Sequence, residues 1–231
     1  VVHKQARNVT ISRNIFHDNR IHLNVGMGSN TAPQQDRDTL IHNNIFDELA
    51  DPNTTGDETP IGLSIGDVRN VRVFNNTFRS QYGDKVDLIS FGYIGSVDLF
   101  NNAFYNGNIA INDANRNNLV ADHNAWAQVT TNTPTHEVYP DIIGAHDIIT
   151  DSLYIDPVTW EPLEHSPLID TGSSIEFITS DFYDAPISGS GHDIGAVEYT
   201  SDTDIDPQAL ANGETDIESQ SFGGEASSGG S

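Results

Sequence analysis

The 231-residue chain has ten basic residues, so every Lys or Arg able to accept a proton or hold an anion can be named: Lys4, Arg7, Arg13, Arg20, Arg37, Arg69, Arg72, Arg79, Lys85 and Arg116. A general base must also sit within reach of its substrate, which favours groups gathered on one surface. One such set comes from the short strand-like segments IHLNVG (21–26), IGLSIG (61–66) and LISFG (88–92). Their alternation turns Ile21, Leu23 and Val25, then Ile61, Leu63 and Ile65, to one face. His22, Asn24, Ser64 and Ser90 then face outward, flanked by Arg20 and Lys85. Arg20, His22 and Lys85 are the candidates for proton transfer and charge, and Asn24, Ser64 and Ser90 for hydrogen bonds to a polar substrate. The plainer alternative is a set of ordinary solvated side chains.

A second set is acidic. The loop DELADPNTTGDE places Asp47, Glu48, Asp51, Asp57 and Glu58 within twelve residues. These are hard oxygen ligands suited to Ca2+, although the spacing is not that of an EF-hand loop. The plain alternative is an acidic, solvated loop. Two other motifs fail on context. Gly62–Gly66 matches G-x-S-x-G, but it lies in a repeated strand rather than at a strand-to-helix elbow. The nine His residues show no H-E-x-x-H or comparable zinc spacing, which argues against a zinc site.

The elements that carry these residues are set by an internal repeat. NVTISRNIFH (8–17), DTLIHNNIFD (38–47), NVRVFNNTFR (70–79), SVDLFNNAFY (96–105) and NLVADHNAWA (118–127) share an alternating strand, then an Asn, then an aromatic two residues on. The Asn residues are Asn14, Asn44, Asn76, Asn102 and Asn124, spaced by 30, 32, 26 and 22 residues; the aromatics are Phe16, Phe46, Phe78, Phe104 and Trp126. Repeats of this length with β-pattern strands and no helical periodicity point to coils stacked as a parallel β-helix. Like side chains then pile on like, and the Asn amides form a ladder at one corner. Asn is expected there both for that ladder and for its tolerance of left-handed backbone at a sharp bend. Loops 26–38 and 47–60 leave the coils where the spacing lengthens.

Composition narrows the function. The formal charge is −24, with 13 acidic and 10 basic residues up to Arg116 and 21 acidic residues without Lys or Arg after it. A polyanion such as nucleic acid is repelled by that balance. Without Cys there is no disulfide framework or thiolate site. No apolar run is long enough to span a membrane, and no signal-peptide pattern opens the chain. The segment 201–231, rich in acidic, Ser and Gly residues, reads as a disordered tail. The strand pattern begins at once, so the chain reads as the C-terminal part of a longer solenoid.

NVTISRNIF and NVRVFNNTF resemble coils of right-handed parallel β-helix proteins of the pectin-lyase-like superfamily. SPLIDTG and HDIGAVEY, within Ser166–Tyr199, resemble the C-terminal module of secreted bacterial β-helix proteins of the choice-of-anchor type. The arginine often found between those closing motifs is missing, Pro186 and Ile187 standing in its place, which puts in doubt a salt bridge to Asp170 or Asp193. The resemblance implies a secreted or surface-bound bacterial protein acting on an anionic polysaccharide by β-elimination, with Lys4 placed like the Lys that precedes such a coil in some lyases. The other reading is a non-catalytic glycan-binding or adhesive solenoid. The expected architecture is therefore all-β, a right-handed parallel β-helix: coils over 1–127, an irregular module over 128–200 covering the open end of the stack, and the tail 201–231. A monomer without nucleic-acid partners is expected. Asp170 and Asp193 are expected to accept backbone N–H bonds in tight turns near Gly172 and Gly195.

Overall fold

The computed structural model describes residues 2–3, 7–26, 36–53, 58–66, 68–92, 94–111, 117–131 and 142–200. Val1–Tyr199 forms one compact unit. Lys4, Asp57 and the tail 201–231 lie outside the described residues.

Among the described residues fifteen strands follow one another: β1 (Val2–His3), β2 (Arg7–Ser12), β3 (Ile15–His17), β4 (Ile21–Val25), β5 (Asp36–His42), β6 (Ile45–Asp47), β7 (Ile61–Ile65), β8 (Val68–Phe74), β9 (Thr77–Arg79), β10 (Asp87–Phe91), β11 (Val97–Phe100), β12 (Ala103–Ile111), β13 (Leu119–Asp122), β14 (Ala125–Thr131) and β15 (Ile148–Thr150). Every strand-to-strand pairing is parallel and joins equivalent segments of successive coils. One column is β2-β5-β8-β11-β13, a second is β3-β6-β9-β12-β14-β15, and a third is β1-β4-β7-β10-β12. The nine-residue β12 runs through both the second and third columns and joins them into one ten-stranded sheet. The fold is thus an all-parallel, solenoid-like β structure, compatible with a β-helix.

The interior repeats along the stack. Phe16, Phe46, Phe78, Phe104 and Trp126 stack face to face with ring centroids 4.4–4.9 Å apart. Ile41, Val73 and Leu99 form a buried aliphatic row beside them. At the corner between the first and second columns each Asn amide donates to the Oδ1 of the next: Asn14 to Asn44 at 3.0 Å, Asn44 to Asn76 at 3.0 Å, Asn76 to Asn102 at 3.0 Å and Asn102 to Asn124 at 3.1 Å. The same Oδ1 atoms also accept the backbone N–H of the Asn one coil earlier, so a buried polar corner is satisfied by repetition. The left-handed backbone lies one residue earlier than expected. Arg13, Asn43, Asn75, Asn101 and His123 have φ of 49–57°, and the ladder Asn residues do not. The Asn-Asn pairs divide the two tasks.

The stack continues past 127. Asp147 Oδ1 accepts the Asn124 backbone N–H at 2.7 Å, its Oδ2 accepts Trp126 Nε1 at 2.7 Å, and β15 pairs with β14. An acceptor-only side chain ends the ladder because there is no further amide to supply.

Residues 153–199 depart from their expected place over the open end. They run along the outer face of the second column. Leu153, Leu168 and Ile194 bury Ala103, Ala125 and Ala127, while Trp160, Ala196 and Val197 bury Ile45. Asn43, Asn75 and Asn101 donate their side-chain amides to the carbonyls of Ser180, Asp193 and Ser173. The row Thr77–Ala103–Ala125 is small enough for close approach, and Gly195, with φ of 121°, is where a Cβ would press on Thr77 Oγ1. At the last rung Ile149 is left 66% exposed.

Candidate functional site

The closing segment covers the second column, and the third column's outer face carries the expected polar row. Asn24, Ser64 and Ser90 pair in register on β4, β7 and β10, each half-exposed between buried neighbours, and Ala110 follows them on β12. Leu23, Leu63, Ile89 and Ile109 point inward.

His22 is not on that face. It is 2% exposed and lies against the rings of Phe16 and Phe46 at 6.2 and 6.3 Å. The strand does not alternate strictly: residues 22 and 23 are both inward, as are 88 and 89, and the register shifts between Asp87 and Ile89. Such an irregularity turns two consecutive side chains to the same side. Burial depresses the His22 imidazole to about 4, so it stays neutral at ordinary pH.

The same irregularity sets a carboxylate beside the row. Asp87 is half-buried beside the row and accepts a 2.8 Å bond from Asn108 Nδ2. Burial raises its carboxyl above the usual range, partly offset by that bond. Arg20 is paired with Glu58, and Lys85 is exposed at the end of the 3-10 turn Gly83–Lys85. Of the quartet Lys4, Arg20, His22 and Lys85, Lys4 lies outside the described residues, His22 is in the core and Arg20 is ion-paired.

The described members of the acidic set are held by separate partners. Asp47 takes Arg79 on both oxygens, at 2.9 and 3.2 Å, and the Arg79 guanidinium lies 4.2 Å over the Trp160 ring. Glu48 faces His17 at 3.3 Å, Asp51 accepts the backbone and side-chain N–H of Asn53 at 2.8 Å, and Glu58 holds Arg20. Ca2+ takes six to eight convergent oxygens. The described members of the set do not assemble such a cage.

A concavity lies where the closing segment meets the solenoid. Two cavities of about 510 and 220 Å3 share Arg79, Tyr105 and Pro157. Glu48, Gln81 and Asn106 line the larger, and Tyr154, 51% exposed, lines the smaller. Sequence patterning missed this cleft because Tyr154 and Pro157 belong to no repeat.

The closing segment contains a second electrostatic feature. Asp181, Asp193 and Glu198 are each 2–3% exposed. Asp170 and Asp193 accept backbone N–H bonds, but from other turns rather than within turns beside Gly172 and Gly195: Asp170 from Ser190 and Gly191, Asp193 from Asp170 and Tyr199. The Glu198 backbone N–H goes to Asp181 and its Oε1 accepts from the Asp193 N–H. Burial, with Asp193 close by, pushes the Glu198 carboxyl up to about 8, and burial pushes Asp193 up to about 6. None of the three lines the cleft, so their role is in holding the segment.

Compared with known proteins, the chain matches no family model and no curated sequence at a significant level. No helix among the described residues is long and apolar enough to cross a membrane.

Proposed function

We propose that this chain is part of an exported right-handed parallel β-helix of the pectin-lyase-like superfamily, closed by a choice-of-anchor-type module, which holds a polysaccharide along its third column without cleaving it. One observation carries the reading: the third column presents the amide of Asn24 and the hydroxyls of Ser64 and Ser90 in register on successive coils, at the ~4.8 Å strand spacing. A glycan chain recognised through hydroxyls suits such a row, and the cleft with Tyr105 and Tyr154 adds aromatic faces beside polar groups. The strong negative charge favours neutral over polyanionic glycans. On a glycan array the chain is expected to bind without turnover, with Ser64→Tyr, a bulky block at the middle of the row, removing the signal. Undiminished binding by that variant, or no binding at all, overturns the reading.

A second reading, β-elimination on an anionic polysaccharide, draws on Lys85, exposed two residues from Asp87 at the edge of the same face. It requires rising ultraviolet absorbance from unsaturated uronate when alginate, pectate or glycosaminoglycan is added with calcium, and loss of that activity in Lys85→Ala. A flat trace removes it.

A further inference from the structure

A solenoid can build a metal-ligand set from residues one coil apart, a spacing that searches for close-set His motifs do not cover. His123 stands at the corner position just before the ladder residue Asn124, and His146 stands just before Asp147, which ends the ladder. Stacking brings the two imidazoles together, ring centroids 4.6 Å apart. Asp122, the last residue of β13, points one oxygen at both. Its Oδ2 is 2.8 Å from His146 Nδ1 and 3.3 Å from His123 Nδ1.

Two further observations show that the group is held in place, and a third points to a ligand. Asp122 Oδ1 accepts the backbone N–H groups of His123 and His146, at 3.0 and 2.8 Å, which fixes the carboxylate and aims Oδ2 at the rings. Gly144 itself packs against Asp122, where a Cβ would lie 2.4 Å from Asp122 Oδ1. His123 Nδ1 is buried and makes no hydrogen bond, although it lies close to the carboxylate. The His146–Asp122 contact alone is a good hydrogen bond; it leaves the His123 nitrogen unexplained.

We propose that Asp122 Oδ2, His123 Nδ1 and His146 Nδ1 bind a transition-metal dication of the Zn2+ type. The three atoms lie within 4.8 Å of one another. Zn–N and Zn–O bonds of about 2.0–2.2 Å place tetrahedral ligand atoms roughly 3.3 Å apart, so the observed separations need only small adjustment. Two imidazoles and one carboxylate select Zn2+, Ni2+ or Cu2+ over Ca2+, which takes oxygen ligands. The His146 side chain is 64% exposed, so the site is open and leaves coordination positions for water or a donor from a bound molecule. The ion ties the end of β13 to the loop before β15 and so clamps the last rung onto the stack. The other cluster of this kind among the described residues, His17 with Asp47 and Glu48, is a poorer candidate because Arg79 occupies both Asp47 oxygens.

Calorimetric titration of the tag-free chain with ZnCl2 tests this, with CaCl2 as the control. One saturable equivalent of Zn2+ and a raised unfolding midpoint are expected, with no response to Ca2+, and Co2+ gives a visible absorption band from mixed nitrogen and oxygen ligands. His123→Asn keeps a residue that three neighbouring coils use at this corner, so it preserves the fold. It and His146→Ala each weaken binding by at least about tenfold, as loss of a ligand must exceed loss of a supporting contact, while His17→Asn leaves it unchanged. Wild-type affinity in His123→Asn and His146→Ala, or no saturable binding of Zn2+ by the wild-type chain, overturns the proposal.

Discussion

The ladder corner and the closing segment meet the same requirement, satisfaction of buried polar groups, in opposite ways. At the corner a neutral amide repeats, each Asn accepting from one neighbour and donating to the next. In 153–199 the acceptors are carboxylates, each placed once and each taking backbone N–H groups from non-repeating turns. The neutral corner is indifferent to pH and spreads its stabilisation along the stack. The charged segment has few cations within reach, Arg13 being the one beside Asp181, and its carboxyls are therefore tuned by burial. Repetition gives tolerance; single-use carboxylates make stability conditional.

The largest expected effect is at the middle of the ladder. Asn76 is fully buried; its Oδ1 serves Asn44, and its amide serves Ile41, Phe74 and Asn102. Asn76→Ala should cost about 3–5 kcal/mol in urea unfolding, since several buried groups lose partners at about 1–3 kcal/mol each. Asn14→Ala, at the exposed first rung, should cost about 1 kcal/mol or less. Equal losses would mean that the ladder does not act as a buried stack.

The next effect distinguishes the two regions by pH. A carboxyl raised in the folded state binds its proton more tightly than in the unfolded chain, so its contribution is present at low pH and fades as pH rises through the folded value. For Glu198, at about 8 when folded, the loss between pH 6.5 and 8.5 is about 2 kcal/mol. His22, lowered to about 4, works in the opposite direction, but its contribution grows from pH 4 to 6.5 and is complete above that. The unfolding midpoint should therefore fall from pH 6.5 to 8.5, and Glu198→Gln should flatten the slope. An unchanged slope in that variant would place the titration elsewhere.

Where the regions touch, Arg79 links Asp47 of the stack to Trp160 of the closing segment. Arg79→Ala should lower stability by about 1–2 kcal/mol through the lost charge-assisted bonds and ring contact. The smallest expected change in stability is for Ser64→Ala on the open row, within about 0.5 kcal/mol.

The same contrast explains what could be read from residues alone. Asn14 to Asn124 and Phe16 to Trp126 announce themselves because one corner recurs at coil spacing, and the stacked columns follow. Asp147 continues that spacing at 23 residues from Asn124, but the change from Asn to Asp and from an aromatic to Ile149 hides it. His22 was misplaced because strict alternation ignores the irregularity that turns 22 and 23 to one side. Asp87, which opens β10 rather than lying in a loop, is set beside the row by the same irregularity. The flanking position of 153–199, the Tyr105–Tyr154 cleft and the Asp122–His123–His146 cluster arise from contacts made once, which leave no period in the chain.

Hydrogen exchange followed by mass spectrometry, corrected for intrinsic rates, compares the two regions directly as pH rises from 6.5 to 8.5. Strands β5, β8 and β11, beside the ladder, should keep their protection while segments from 166 to 199 lose theirs first. Loss of protection in those strands before the closing segment, or a closing segment whose protection does not change with pH, would contradict the division between a neutral repeating corner and a charged, single-use flank.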